Sequence, residues 1–267
     1  MIDVKILAII GSPHKGNTLE KTQQIEDKLK QLGDVEFEYI HLKDMDIKPC
    51  KGCFMCFIKG EDSCPLHDDK EKISHKMEEA DGVIFATPVY SMHVSYLLKT
   101  FIDRFAYNFH RPRYFGKYAI TLAVSGGLGL DETLKYLKMV ADGWGFEFVG
   151  QIGLVAPPKN TPMQKLIDMK DRTDNVVGKF HTAIKEKQPR KLALSDHINF
   201  RLMQTVYSRL ETMSPTDYRY FKEKGWFDND VSYFYDNVRG SYLKDRIARI
   251  MSWIMGQKID KAIAKLK

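Results

Sequence analysis

Residues 4–18, VKILAIIGSPHKGNT, decide the fold of this chain. The first seven form a short apolar run rich in β-branched side chains, which is typical of a strand buried on both faces of a sheet. The run leads through a turn of small and polar residues into a helical pattern that begins at Leu19. A buried strand, such a turn and a helix N-terminus together predict the first unit of a parallel α/β sheet.

The turn at residues 11–18 also has the composition of an anion site. Free backbone N–H groups and the positive end of the helix would point at a ligand held in the turn. Ser12, Asn17 and Thr18 add side-chain donors, and Lys15 adds positive charge. The pattern matches neither the Walker A loop nor GxGxxG, so neither a nucleoside triphosphatase nor a dinucleotide-binding fold is indicated. The alternative is an ordinary capped strand-to-helix turn.

Four further predicted strands alternate with helical patterns along the first two-thirds of the chain. They lie at residues 35–41, 82–86, 118–124 and 146–155. This alternation predicts an α/β fold, a doubly wound five-stranded parallel sheet with the flavodoxin-like strand order 2-1-3-4-5. In such sheets ligands bind beyond the carboxyl ends of the strands, at the switch point between strands one and three.

Two more loops of unusual composition leave the carboxyl ends of predicted strands. The third strand ends in TPVYS at residues 87–91, where Tyr90 offers a flat face. The fourth ends in SGGLG at residues 125–129, whose glycines would let a planar ligand approach the backbone closely. A phosphate cradle beside two such loops suits flavin mononucleotide (FMN). Taken singly, Tyr90 could be a core or interface aromatic, and the glycines a plain turn.

All the cysteines lie close together: Cys50, Cys53, Cys56 and Cys64, spaced C-x2-C-x2-C-x7-C. Soft thiolates are the ligands of iron–sulfur clusters, whereas a structural zinc usually has two separated ligand pairs. The spacing therefore favours an iron–sulfur cluster, and reduced thiols lining a loop are the alternative. Thiols so closely spaced are poorly arranged for structural disulfides, which favours a cytoplasmic protein. The sequence also shows neither a secretory leader nor an apolar run of about 20 residues.

The combination of motifs resembles the NADPH-dependent FMN reductase family, and within it the iron–sulfur flavoprotein branch. The resemblance covers residues 1 to about 185 and rests on GSP-x-KGNT, the cysteine pattern, TPVY and the SGG loop. It implies a flavodoxin-like fold, non-covalent FMN, NAD(P)H as electron donor and a homodimer or homotetramer with flavins near subunit interfaces. His14 stands where relatives commonly have arginine. Position by position, the resemblance implies these FMN-binding residues: Ser12, Lys15, Gly16, Asn17, Thr18, Pro88, Val89, Tyr90, Ser91, Ser125, Gly126 and Gly127.

The resemblance leaves two functions open. In the iron–sulfur branch the cysteine pattern binds a 4Fe-4S cluster, but Phe54, Phe57 and the pattern C-x-x-x-D-D at residues 64–69 also resemble relatives without one. The chain is therefore predicted to be an FMN-dependent NAD(P)H oxidoreductase with an unidentified acceptor and no assigned catalytic residue. The alternative is an electron-transfer or redox-responsive module without its own turnover. The scattered histidines argue against a metallohydrolase.

The last third of the chain predicts a helical extension. Residues 1–187 are assigned to the flavodoxin-like domain and residues 188–267 to this extension. Residues 190–267 hold 15 Lys and Arg against nine Asp and Glu, so they carry the net charge of +6 of the whole 267-residue chain. Helical stripes at residues 198–213 and 243–254 predict a cover packed on the core or on a partner subunit. A membrane surface is the alternative, and nucleic-acid binding is not expected.

Three arginines lie close to Tyr107 in the sequence. Arg104, Arg111 and Arg113 flank this tyrosine in the sequence. They are expected to form a solvated basic face or to guide a nicotinamide dinucleotide phosphate. Asp68 and Asp69 are expected to begin a helix and to interact favourably with its dipole.

Overall fold

The computed structural model describes residues 4–156, 161, 163–236 and 238–265. The strands are β1 (Val4–Ile10), β2 (Val35–His41), β3 (Gly82–Tyr90), β4 (His93–Val94), β5 (Tyr118–Ser125), β6 (Glu147–Val155), β7 (Arg190–Lys191) and β8 (Val238–Arg239). The helices are α1 (Asn17–Leu32), α2 (Met55–Ile58), α3 (Lys70–Glu79), α4 (Tyr96–Arg104), α5 (Leu130–Trp144), α6 (Met163–Lys185), α7 (Leu194–Tyr207), α8 (Pro215–Glu223) and α9 (Tyr242–Ala264).

The chain divides into two compact units. The first comprises Met1–Lys51 and Leu66–Gln188, and the second comprises Gly52–Pro65 and Pro189–Lys267. Three of the four cysteines therefore lie on a segment that belongs to the same unit as the C-terminal residues. No local sequence pattern could indicate this association, because it joins segments more than a hundred residues apart.

The first unit contains the predicted doubly wound sheet. Its five long strands are parallel and lie in the order β2-β1-β3-β5-β6, which is the predicted order 2-1-3-4-5. One strand was not predicted: β4 pairs antiparallel with the end of β3, with Tyr90 opposite His93. Two residues are too few to show a strand periodicity, which is why the sequence did not reveal β4.

Helices α1 and α6 cover one face of this sheet. The α6 side chains Val177, Phe180 and Ile184 are buried in the core cluster with residues of β1 and β5. A Cβ atom at Gly82 would lie 2.5 Å from the Phe180 ring, so α6 packs closely where β3 begins. Helix α6 was not predicted, although the spacing i, i+3, i+7 of these three residues marks its buried stripe.

An aromatic cluster fills the opposite face, where α4 and α5 pack. Its centre is Trp144, which is fully buried. The rings within contact distance of Trp144 come from the sheet, from α4 and from the segment that follows α4: Phe85, Phe101, Phe105, Phe109 and Tyr114. Burial on both faces explains why the central strands β3 and β5 read as continuous apolar runs.

The second unit has its own core, built around α7 and α9. Arg201 on α7 is buried and donates from Nε to Asp245 Oδ1 on α9 at 2.7 Å. Around this pair lie buried aromatic side chains from α7, α8 and the segment between α8 and α9: Phe200, Tyr207, Phe221, Trp226, Tyr233 and Phe234. The predicted helical stripes are not buried in this core: the stripe residues on α7 are half-buried, and those on α9 are exposed. Their packing on a partner subunit stays a prediction.

Candidate functional site

The turn after β1 is tied to β3 and to the start of α4. Gly11 donates its backbone N–H to the carbonyl of Ala86 at 2.8 Å, and Ser95 donates its hydroxyl to the carbonyl of Gly11. A Cβ atom at Gly11 would lie 2.7 Å from the Cβ of Leu98, so only glycine permits this approach of α4. The turn is therefore fixed against the scaffold at its first residue.

The rest of this turn presents donors at the N-terminus of α1. The N-cap residue is Gly16, which has no side chain to accept from the first-turn N–H groups. Those groups and the positive end of the helix are available to an anion. Lys15 and Asn17 are exposed beside them, whereas Ser12 and Thr18 are buried. The Ser12 hydroxyl donates to the carbonyl of His14 at 2.8 Å, which holds the turn in shape.

A tight hairpin ends β3 and exposes the predicted ring-binding residues. Ser91 and Met92 form its two-residue turn with φ values of +47° and +68°. Left-handed backbone at two consecutive non-glycine residues is strained, and such strain concentrates at functional sites. Tyr90 and Met92 are exposed, and the preceding Pro88 is half-buried.

The loop after β5 meets this hairpin. A Cβ atom at Gly129, where φ is +86°, would lie 2.7 Å from Met92 Cα, so the two loops are in close contact. Ser125 donates its hydroxyl to the carbonyl of Leu128 at 2.6 Å and accepts from the N–H of Gly127 at 2.9 Å. Cβ atoms at Gly126 and Gly127 would meet no protein atom within 4 Å, so the backbone there is open.

Charge at the sheet edge is positive near the first turn. Burial is the main cause that lowers the pKa of His41, at the end of β2, and Lys15 and Lys43 lower it further against the opposing effect of Asp44. The field of Lys15 therefore reaches the end of the neighbouring strand. Lys15 therefore places positive charge at the edge where an anionic ligand would bind.

These observations fit FMN. The donors at the N-terminus of α1 suit a dianionic phosphate, and the open backbone at Gly126 and Gly127 with the exposed Tyr90 suits a flat ring system. The contacts of Gly11 with β3 and of Gly129 with the hairpin bring all three predicted loops to one edge of the sheet.

The segments that flank the cysteines are held by a buried arginine. Arg104 at the end of α4 forms an ion pair with Asp68, and both side chains are inaccessible to solvent. Burial alone would raise the pKa of Asp68, but hydrogen bonds from Arg104 and from the N–H groups of Lys48 and Lys70 lower it. The interpretation of Arg104 as part of a solvated basic face was therefore wrong, and Arg111 is buried as well.

The cysteine-bearing segment Gly52–Pro65 belongs to the second unit. Within that unit Thr216 at the start of α8 donates its hydroxyl to the carbonyl of Ile58 at 2.9 Å. The four cysteines form no disulfide; Cys50 and Cys53 are exposed, and Cys56 and Cys64 are half-buried. Across residues 4–156, 161, 163–236 and 238–265, no three His, Cys, Asp or Glu side chains are gathered as metal ligands. The thiol donor set is the one that iron–sulfur clusters select.

The fold is that of a flavodoxin-like protein, and the three loops at the edge of its sheet suit a flavin. Residues 4–160 match the family model described as NADPH-dependent FMN reductase. The chain belongs to this NADPH-dependent FMN reductase family. Its predicted membership is thereby confirmed, as is the predicted class of FMN-dependent oxidoreductases.

Individual relatives extend the likeness beyond the family match. An iron–sulfur flavoprotein of Archaeoglobus fulgidus is 31% identical over 227 residues, which is 84% of this chain and all of the relative. An iron–sulfur flavoprotein of Clostridioides difficile is 28% identical over 221 residues, 81% of this chain and 94% of the relative. A crystal structure of an NADH:FMN oxidoreductase in its apo form is similar to this chain with a TM-score of 0.50 and 24% sequence identity. The match covers 67% of this chain and 89% of that one, and it shows that the two share a fold.

Proposed function

We propose that the chain binds FMN at the edge formed by the three loops, oxidises NAD(P)H and passes the electrons to an acceptor. The observation that carries the proposal is the convergence on one sheet edge of an uncapped helix N-terminus and an open glycine backbone. When bound, FMN supplies the hydride and one-electron chemistry. The NADH:FMN oxidoreductase with the same fold is named for this donor and flavin.

The residues of the chain would bind and orient the flavin. The first-turn N–H groups of α1, with Ser12, Lys15, Gly16, Asn17 and Thr18, would hold the phosphate. Pro88, Val89, Tyr90 and Ser91 would lie along the ring, opposite the open backbone of Ser125, Gly126 and Gly127. Hydride transfer to a flavin requires no acid or base from the protein, so the role of these residues is to position the ring and to exclude water.

Flavin reconstitution tests this proposal directly. Purified protein should acquire the visible absorbance of a flavin when incubated with FMN, and the bound flavin should be reduced by NADPH or NADH under anaerobic conditions. Rates with the two nicotinamides, measured in parallel, identify the donor. A protein that stays colourless after reconstitution would refute the proposal.

A second candidate function uses the cysteines. The spacing C-x2-C-x2-C-x7-C and the names of the relatives from A. fulgidus and C. difficile support a 4Fe-4S cluster in an electron-transfer module. Anaerobically prepared protein should then contain about four iron atoms per chain, and Cys53→Ser should lose them while FMN stays bound. An iron content below about one-tenth of that value would refute the cluster, and the protein would then be a reductase that uses flavin alone.

Assembly is a further part of the proposal. We infer a homodimer or homotetramer, because the hairpin, the start of α4 and the loop after β5 expose large apolar side chains: Tyr90, Met92, Tyr96 and Leu128. A contiguous apolar group at a binding edge is typical of a contact surface. Light scattering on the flavin-loaded protein gives the number of copies, and a monomer would refute this part alone.

A further inference from the structure

Helix α9 packs within the second unit through its small and polar side chains. The residues that it buries recur along one stripe: Asp245, Ala248, Ser252 and Gly256. A Cβ atom at Gly256 would lie 2.8 Å from Arg209 Nη2 and 3.2 Å from Thr205 Cγ2, so the helix approaches its neighbour closely there. The buried face of α9 is therefore the less apolar one.

The opposite face of α9 is apolar and exposed. Leu243, Ile247, Ile250 and Ile254 recur at i, i+4, i+7 and i+11, and Leu243 and Ile250 are 68% and 60% exposed. Together with Tyr242, Met251, Trp253 and Met255 they form what we call the outer face. An amphipathic helix in a soluble core turns this stripe inward. In α9 it is turned away from the unit that carries the helix.

The charges on the outer face are all positive. Arg246, Lys258 and Lys261 are exposed, and no described carboxylate lies within ion-pair distance of them. The two acidic residues of α9 are held elsewhere. Asp245 is bonded by Arg201 and Arg249, and Asp260 by Arg209. The outer face therefore combines a large apolar area with uncompensated cationic charge.

We propose that the outer face of α9 binds the surface of an anionic lipid bilayer, with the helix lying parallel to the membrane. Apolar side chains would enter the boundary between headgroups and acyl chains, while the cations contact lipid phosphates and carboxylates. Tyr242 and Trp253 suit the interfacial depth, where aromatic residues with a polar atom are enriched. None of the helices in the described part of the chain is long and apolar enough to cross a bilayer, so the contact is peripheral.

Charge favours a lipid surface over a second copy of the chain. Residues 190–267 carry the whole net charge of +6, and pairing two such faces would bring like charges together in an apolar contact. An anionic surface instead compensates them, at a gain of roughly fivefold in binding for each basic residue near the headgroups. The proposal does not depend on the function of the first unit.

Co-sedimentation with vesicles tests the proposal on the full-length, flavin-reconstituted protein. Vesicles of phosphatidylcholine with about one-third phosphatidylserine should bind it, and pure phosphatidylcholine should bind it at least tenfold more weakly. Ile250→Glu with Ile254→Glu should abolish binding, and Lys258→Gln with Lys261→Gln should weaken it by tenfold or more. The matched control Lys72→Gln with Lys135→Gln removes two exposed lysines of the first unit and should leave binding unchanged.

Tryptophan fluorescence provides an independent readout. Trp253 is 64% exposed, whereas Trp144 and Trp226 are buried, so a blue shift on adding anionic vesicles reports entry of the outer face into the interface. Trp253→Phe should remove the shift. Absence of binding to anionic vesicles would overturn the proposal. So would a dimer in light scattering that the Ile250→Glu, Ile254→Glu variant converts to a monomer, because the occupant would then be a second copy.

Discussion

Arg104 and Asp68 form a buried ion pair that joins the end of α4 to the start of α3. Arg104 Nη2 lies 3.2 Å from Asp68 Oδ1, and the same guanidinium donates to the carbonyls of Lys48 at 3.0 Å and Leu66 at 3.4 Å. One side chain thus binds both segments that flank the cysteines. Because these groups are removed from water, each bond is needed to offset the desolvation of the others.

Removing one partner of this pair should destabilise the first unit strongly. Asp68→Asn leaves Arg104 buried without its counter-charge, and breaking a buried pair in this way costs about 3–5 kcal/mol. We expect the melting temperature to fall by roughly 10 °C, measured by circular dichroism at neutral pH.

The matched control for that substitution lies on α4, the helix that carries Arg104. Lys99 and Asp103 form an i,i+4 ion pair on α4, with both side chains nearly half exposed. Asp103→Asn should cost at most about 0.5 kcal/mol, because exposed pairs are screened by solvent. Equal losses for Asp68→Asn and Asp103→Asn would show that burial of the first pair contributes nothing.

The same pair should make stability depend on pH in the acid range. The pKa of Asp68 is lowered in the folded state, so its contribution is complete above the unfolded value of 3.8 and is lost as the pH falls through the folded value. The stability difference between the wild type and Asp68→Asn should be constant from neutral pH to about pH 5 and should shrink below pH 3.8. Melting temperatures of both proteins across this range test it. A difference that grows on acidification would contradict the lowered pKa.

Lys15 and Asn17 should contribute to phosphate affinity without contributing to the fold. Both are exposed beside the uncapped N-terminus of α1. Charge-assisted hydrogen bonds contribute about 1.5–3 kcal/mol each, so Lys15→Ala with Asn17→Ala should raise the Kd for FMN at least tenfold. Fluorescence titration of FMN measures this, with Gln23→Ala, an exposed change on the same helix, as control. An unchanged Kd would mean that the turn is only a helix start.

Two neighbouring glycines should separate flavin binding from stability. At Gly127 a methyl group meets no protein atom, so Gly127→Ala should leave the melting temperature unchanged and weaken FMN about tenfold by occupying the space proposed for the ring. At Gly129 the left-handed backbone and the contact with Met92 should make Gly129→Ala cost about 2 kcal/mol or more. If Gly127→Ala binds FMN normally, the ring does not lie over that loop.

The contact between Thr216 and the cysteine segment should control access to two thiols. Thr216→Val keeps the side-chain shape but removes the hydrogen bond to Ile58, which contributes about 1 kcal/mol. Local opening should then be about fivefold more frequent. Alkylation of the half-buried Cys56 and Cys64 in metal-free protein should quicken by that factor, as followed by mass spectrometry. Thr212→Val, an exposed change in the same unit, should leave the rates unchanged.

The sheet and the edge at which its three loops converge could be predicted from the sequence. Continuous apolar runs such as β1 and β5 report burial on both faces, and glycine-containing turns after them mark the carboxyl edge. These are local properties: each depends on residues adjacent in the chain. The strand order could be predicted as well, because few topologies connect alternating strands and helices.

Contacts between residues that are distant in the chain are determined only by the tertiary structure. From the sequence, Asp68 is expected to be an ordinary helix-start residue. The structure places Arg104, 36 positions later, beside it. From the sequence, the cysteine segment is expected to be part of the first domain. In the structure, Ile58 of this segment is hydrogen-bonded by Thr216, which is 158 residues away. The apolar stripe of α9 was visible in the sequence, but its direction was not. A periodicity shows that a helix has two faces, and only the packing of Ala248, Ser252 and Gly256 decides which of them is buried.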